Sequence, residues 1–197
     1  MEYLVYILLI VTSIVGLTFI VERGLALRWK KVVPQEIESA IEGCQSKSDL
    51  EKVKRACDQN ISPLGRLIAV AIERAAWPKD EAVDALQTRA RHEIVKLERG
   101  LVVLEIIVGI APLLGLVGTI LGMMTTFENV GVAGLSDASK LASGIALILK
   151  ATLIGLLIAI PALVSWSYYS KKVKMLAVEM ETLCDEFMRR LYREEKK

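Results

Sequence analysis

Three threonine hydroxyls stand out because they lie inside long apolar stretches. Thr119 and Thr126 fall between residues 106 and 127, and Thr152 falls between residues 141 and 170. A threonine cannot carry charge, but its hydroxyl can orient water or form a hydrogen bond beside a titrating carboxylate. It can also bond back to the carbonyl one helical turn earlier. The residues alone leave both roles open.

Small residues share the helical face of these threonines. Such a face either permits close approach of two helices or lines a central space between them. A proline inside a helix also frees one backbone carbonyl and favours a kink. The residues expected to bend these helices or pack them closely are Pro112, Gly115, Gly118, Gly122, Gly155 and Pro161.

Two charged residues near these faces are candidate charge partners. Lys150 is expected about one helical turn below the outer surface of the bilayer. From there its long side chain could snorkel outward. The alternative is a salt bridge to an acid on a neighbouring subunit or on a partner protein, because buried charges are normally paired. Glu105 is expected to be an interfacial carboxylate near the cytoplasmic end of the second stretch, or else a group that takes part in proton transfer there.

Catalytic and metal-binding patterns are missing from the sequence. His92 is the single histidine, and the three cysteines, Cys44, Cys57 and Cys184, lack the spacing of metal ligands. No phosphate-binding loop or nucleophile paired with a histidine is present. We therefore expect neither an enzyme nor a cofactor or metal, and the net charge of +2 indicates no nucleic-acid partner.

Three apolar stretches predict three membrane spans, at residues 3–21, 106–127 and 151–170. Each is long enough to cross roughly 30 Å of hydrocarbon as a helix. Lysines and arginines cluster after the first stretch, before the second and after the third. By the positive-inside bias, the amino terminus and the loop between the second and third spans lie outside, and the carboxyl terminus lies in the cytoplasm.

Apolar residues at steps of three and four continue beyond the spans. One stripe runs from Val83 to Val108, and no helix breaker is expected between Pro78 and Pro112, so one uninterrupted helix should project well below the membrane. Another stripe runs through the tail from Val173 to Leu191. We therefore predict an all-α membrane protein with three transmembrane helices, the second and third extended into a cytoplasmic helical bundle. The expected segments are a first span (1–22), a cytoplasmic loop (23–100), a second span (101–128), a periplasmic loop (129–140), a third span (141–170) and a cytoplasmic tail (171–197).

Two segments resemble the MotA/TolQ/ExbB proton channel family. APLLGLVGTILGMMTTF, from Ala111 to Phe127, is similar to the signature of its second span, and GIALILKATLIGLLIAIPALVS, from Gly144 to Ser165, is similar to its third. With three predicted spans rather than four, the chain resembles the ExbB/TolQ branch of this family. The resemblance implies an inner-membrane pentamer that uses the proton-motive force, with Thr119, Thr152 and Thr126 along the proton path.

The resemblance also implies partners. The pore would hold the single transmembrane helix of an ExbD/TolR-type protein, and a periplasm-spanning protein of the TonB/TolA type is a further candidate. Many ExbB/TolQ members have a glutamate where this chain has Leu147, so the titrating acid is expected from the ExbD/TolR-like helix. Two alternatives stay open: a non-conducting membrane scaffold with a protein-binding cytoplasmic bundle, and a sodium-coupled motor subunit.

Overall fold

The computed structural model describes residues 2–44, 49–133 and 138–192, with side chains at 4–44, 49–128, 144–146 and 148–192. Within these ranges the chain is helical and has no strand. The helices are α1 (Glu2–Ala26), α2 (Trp29–Val32), α3 (Gln35–Gly43), α4 (Leu50–Gln59), α5 (Pro63–Glu73), α6 (Lys79–Glu98), α7 (Leu101–Ala133) and α8 (Ala138–Leu191). The prediction of an all-α protein is confirmed.

Three of the described helices are long and apolar enough to cross a membrane. The qualifying segments are Leu4–Ala26 in α1, Leu101–Glu128 in α7 and Gly144–Leu191 in α8. Large apolar side chains remain exposed on all three, including Ile7, Leu113 and Leu153. Exposed apolar surface of this extent is suited to lipid or to other protein helices. The prediction of three spanning helices is confirmed.

The chain forms two compact units. The span unit comprises residues 1–23 and 100–168, and the loop-and-tail unit comprises residues 24–99 and 169–197. In the span unit, Ile107 and Ala111 of α7 pack with Ala159 and Ala162 of α8. Alanines at this contact place little side-chain volume between the two helices.

The loop-and-tail unit contains α2 to α6 and the last turns of α8. Ser62 caps α5 by accepting a hydrogen bond from the backbone of Gly65 at 3.0 Å, and Pro63 occupies the first turn. The predicted apolar stripe of the tail is buried along its whole length, which explains why α8 continues to Leu191. Its buried members are Val173, Leu176, Met180, Leu183, Phe187 and Leu191.

The uninterrupted helix expected between Pro78 and Pro112 is wrong. Helix α6 ends at Glu98, Arg99 leaves the helical conformation, and Gly100 adopts a φ of +102° before α7 begins at Leu101. This left-handed conformation is open to glycine because glycine has no Cβ. Two local signals mark this end of the helix. Lys96 lies in the last turn, and a glycine, Gly100, follows the C-cap residue.

Candidate functional site

Helices α7 and α8 touch through their backbones at two glycines. A Cβ built on Gly115 would lie 2.9 Å from both the carbonyl oxygen of Ala151 and the Cα of Thr152. A Cβ built on Gly155 would lie 2.6 Å from the carbonyl oxygen of Ala111. Real Cβ atoms do not approach backbone this closely. Glycine at both positions therefore sets the separation of the two helices.

Gly118 and Gly122 extend this contact along α7. A Cβ on Gly118 would lie 2.8 Å from the Cβ of Ala151, and one on Gly122 would lie 2.7 Å from Cγ1 of Ile148. Gly118 also faces α1, where Cγ1 of Val5 would be 3.2 Å away. Small residues that recur at steps of three and four thus form one continuous contact face, as in close pairs of membrane helices.

Thr119 and Thr152 meet at this contact. Their hydroxyl groups are hydrogen-bonded to each other, although the residues are 33 positions apart in the chain. Oγ1 of Thr119 lies 3.1 Å from the carbonyl oxygen of Gly115, and Oγ1 of Thr152 lies 3.2 Å from the same oxygen. We call this group of two hydroxyls and one carbonyl the hydroxyl node. Both threonines are half-buried.

The hydroxyl node has fewer protons than contacts. Two hydroxyls supply two donated hydrogen bonds, whereas three oxygen pairs lie within bonding distance. One hydroxyl must donate to Gly115 while the other donates to its neighbour, and the two hydroxyls can exchange these roles. Either arrangement leaves lone pairs on the hydroxyls that can accept a hydrogen bond from water or from a protonated acid. The node can therefore orient a donor without itself becoming charged.

Thr126 lies two turns further along α7 and does not join the node. Its hydroxyl donates to the carbonyl of Gly122 at 2.9 Å, and its side chain faces Gly144 of α8. Thr119 and Thr126 nevertheless line the same cavity of about 160 Å³. The other residues around this cavity are apolar and come from both helices: Met123, Phe127, Ile145, Ile148 and Leu149.

The two prolines lie inside continuous helices. Pro112 is within α7 and Pro161 is within α8. Because proline has no backbone N–H, each leaves the carbonyl four residues earlier without its usual helical partner. Pro161 also lines a cavity of about 300 Å³ beside α1, together with Leu9, Gly16 and Ile158.

The two predicted charge partners are not part of the hydroxyl node. Lys150 and Glu105 are both exposed. Neither takes part in an ion pair with another residue that the structure describes. Their predicted partners are therefore not among the described residues of this chain. The side chain of Leu147, which replaces the expected glutamate, lies outside the described residues.

One buried carboxylate in the loop-and-tail unit was missed by the sequence reasoning. Glu93 is fully buried and forms ion pairs with Arg66, Arg89 and Lys96. Burial alone would raise the pKa of Glu93, but hydrogen bonds from Arg66 and Lys96 and the charges of these two residues hold it below its ordinary value. The sequence did contain a signal for these ion pairs. Arg89 lies four residues before Glu93 and Lys96 three residues after it, and residues at these spacings are neighbours on a helix surface.

This chain is similar to a known protein family and to several named proteins. The model of the "MotA/TolQ/ExbB proton channel family" matches residues 59–182, which include the hydroxyl node. "Biopolymer transport protein ExbB" of Aquifex aeolicus is 31% identical over 141 residues, covering 68% of this chain and 93% of that protein. "Tol-Pal system protein TolQ" of Pseudomonas aeruginosa is 28% identical over an alignment of 204 residues, covering 96% of this chain and 87% of that protein.

A third relative, "Putative biopolymer transport protein ExbB-like 2" of Helicobacter pylori, is 36% identical over 115 residues, covering 58% of this chain and 76% of that protein. The family match includes α7 and the part of α8 that contacts it. These similarities agree with the resemblance of the two apolar segments that form the hydroxyl node. The chain belongs to the MotA/TolQ/ExbB proton channel family.

Proposed function

We propose that this chain is the channel-forming subunit of an inner-membrane complex of the ExbB/TolQ type. Several copies, expected to be five, would surround the single transmembrane helix of an ExbD/TolR-like partner. Protons moving down their gradient would pass this helix and drive a mechanical change. A periplasm-spanning protein of the TonB/TolA type would carry that change toward the outer membrane. The amino terminus would be periplasmic and the carboxyl terminus cytoplasmic.

The hydroxyl node is the observation that carries this proposal. It is a polar group held at the closest contact of two apolar helices, where Gly115 and Gly155 allow backbone contact. Polar groups are costly inside a membrane and usually serve a function there. Because its two protons can exchange roles, the node can orient a titrating group of a partner helix in either of two hydrogen-bonding patterns.

The titrating acid would come from the partner. No aspartate or glutamate occurs in residues 106–127 or 141–170, so the middle of neither pore helix can supply one. Glu105 and Glu128 flank the second stretch, and both are exposed. A membrane carboxylate on the ExbD/TolR-like helix would complete the path. This chain alone should therefore conduct few protons.

Proton flux into vesicles tests the proposal. The chain would be reconstituted with and without an ExbD/TolR-type partner, and internal pH would be followed after a gradient is imposed. We expect flux above the lipid background only with the partner, and Thr152→Val should reduce that flux at least about tenfold, since oriented proton transfer typically contributes 10²–10⁴-fold. Wild-type flux in Thr152→Val, or large flux from the chain alone, would contradict the proposal.

Thr125→Val is the matched control. Thr125 lies on the same helix as Thr119, but its side chain is exposed and its hydroxyl donates to the carbonyl of Leu121 at 3.0 Å. The substitution changes side-chain size and polarity in the same way as Thr152→Val, because both replace threonine with valine. It leaves the hydroxyl node intact. It should leave flux unchanged.

Sodium coupling is the second candidate function, because the hydroxyl node groups three oxygen atoms of the kind that bind hard cations. Imposing a sodium gradient at equal pH on both sides separates the two ions. Movement driven by sodium alone would assign this function instead. A complete complex that responds to neither gradient would favour the membrane scaffold.

A further inference from the structure

Five basic side chains lie next to the apolar parts of two spanning helices. Arg28, Lys30 and Lys31 follow α1, and Lys171 and Lys174 follow the apolar part of α8. All five are exposed. We call these five residues the basic collar; all belong to the loop-and-tail unit.

The two parts of the basic collar are held near one another. A Cβ built on Gly24 would lie 2.9 Å from the hydroxyl oxygen of Tyr169, so the end of α1 contacts α8 at this level. Arg28 follows Gly24 by four residues. Lys174 lies about 7.5 Å along the helix axis from Tyr169, at about 1.5 Å per residue. Both groups of basic residues therefore come shortly after the Gly24–Tyr169 contact in their own segments of the chain.

Buried apolar residues fix the first group to the protein. Leu27, Val32 and Val33 are at most 1% exposed and flank the basic residues of this segment. With its apolar side chains turned inward, the segment presents its charges outward. Trp29 is 42% exposed beside them. An exposed tryptophan next to a spanning helix is typical of the boundary between hydrocarbon and lipid headgroups.

The charges of the basic collar have no acidic partner among the residues that the structure describes. None of the five residues forms an ion pair with any residue in the described ranges. No acid occurs in residues 24–35 or 169–178, and Glu22 pairs with Arg23. Lysines and arginines elsewhere in the unit, such as Lys52, Arg55 and Arg189, do pair with acids. The positive charge is thus concentrated at the ends of the spans.

We propose that the basic collar binds anionic phospholipid headgroups of the surrounding bilayer. Unpaired lysines and arginines next to a spanning segment attract anionic lipid, and each contributes about 1 kcal/mol, or roughly fivefold in affinity. Trp29 would lie at the level of these headgroups. The proposal depends on the chain being a membrane protein and not on proton transport.

Native mass spectrometry of the chain in neutral detergent tests this proposal. Phosphatidylglycerol and phosphatidylcholine would be added at equal concentrations and the retained lipid counted. We expect preferential retention of phosphatidylglycerol, which should weaken as salt is raised because the charges are exposed. Lys30→Gln with Lys31→Gln should lower its apparent affinity at least about tenfold, and Lys171→Gln with Lys174→Gln should act similarly. Equal retention of the two lipids would overturn the proposal.

Lys52→Gln with Lys54→Gln is the matched control. Both residues are exposed on α4, and the pair removes the same charge as Lys30→Gln with Lys31→Gln. It should change phosphatidylglycerol affinity less than about twofold, while a loss as large as that in the collar variants would show a net-charge effect and overturn the proposal. Light scattering would report subunit number. A collar variant that changes subunit number while keeping its lipid affinity would assign these residues to contacts between copies instead.

Discussion

Arg66 on α5 donates two hydrogen bonds to Oε2 of Glu93 on α6, at 2.9 and 2.5 Å from Nε and Nη2. Lys96 donates to the other carboxylate oxygen at 3.0 Å. The carboxylate is fully buried, whereas the three basic side chains around it are partly exposed. One acid therefore joins two helices of the loop-and-tail unit. The pair Arg66–Glu93 is a tertiary contact, because 27 positions separate the residues.

Glu93→Gln should destabilise the loop-and-tail unit by about 1–3 kcal/mol. Removal of one partner of a buried pair costs about 3–5 kcal/mol, but here the basic groups keep contact with water. Because the pKa of Glu93 is lowered in the folded state, its stabilisation is present above the ordinary value of 4.5 and is lost as pH falls through the folded pKa. Thermal unfolding in detergent from about pH 7 to pH 3 would measure both effects.

The control for Glu93→Gln is Glu98→Gln, an exposed position on the same helix. It should change the unfolding temperature little at neutral pH. The variant Glu93→Gln should also lose stability less steeply in acid than the wild type. Identical acid profiles for Glu93→Gln and the wild type would show that another group controls acid unfolding.

Gly155→Ala should separate α7 from α8. Its new Cβ would lie 2.6 Å from the carbonyl oxygen of Ala111, and a backbone atom cannot move aside as a flexible side chain can. We expect a loss of about 1–3 kcal/mol, the usual cost of overpacking. Gly109→Ala is the matched control on α7, since a Cβ there has nothing within 4 Å. Thermal unfolding in detergent should rank the two variants, and equal stability would argue against the contact.

Thr119→Ser and Thr119→Val should differ in proton flux. Serine keeps the hydroxyl that lies 3.1 Å from the carbonyl of Gly115, whereas valine keeps the branched shape and loses the hydroxyl. In the vesicle assay with the partner, we expect flux near that of the wild type for serine and at least about a tenfold loss for valine. Equal flux in the two variants would restrict Thr119 to helix packing.

Cys57 should resist thiol reagents in the folded protein. Burial, and secondarily the charge of Asp58, raise the pKa of its thiol to about 11. Since the thiolate is the reactive form, little of it exists near neutral pH. Intact mass after maleimide treatment at about pH 8 should show no adduct on Cys57 before denaturation. Ser39→Cys, at an exposed position on α3, should react quickly in the same protein; fast reaction at Cys57 would contradict its burial.

Several features of the fold could be predicted because they depend on local patterns. A long uncharged stretch must be helical in lipid, which is why the three spanning helices were predicted correctly. The buried stripe from Val173 to Leu191 has the helical period, and Ser62 with Pro63 has the spacing of a helix start. The break at Gly100 was missed because the apolar period continues across it, although glycine was a local signal for it.

The sequence by itself determined which helix faces are narrow and polar, because small residues and threonines recur there with the period of a helix. Only the tertiary structure decided that Thr119 and Thr152 share the carbonyl of Gly115, and that Glu93 is enclosed by three basic residues. The helical period specifies the direction in which a side chain points around the axis of its own helix. The rotation and offset of the neighbouring helix, which select its partner, depend on packing between residues far apart in the chain.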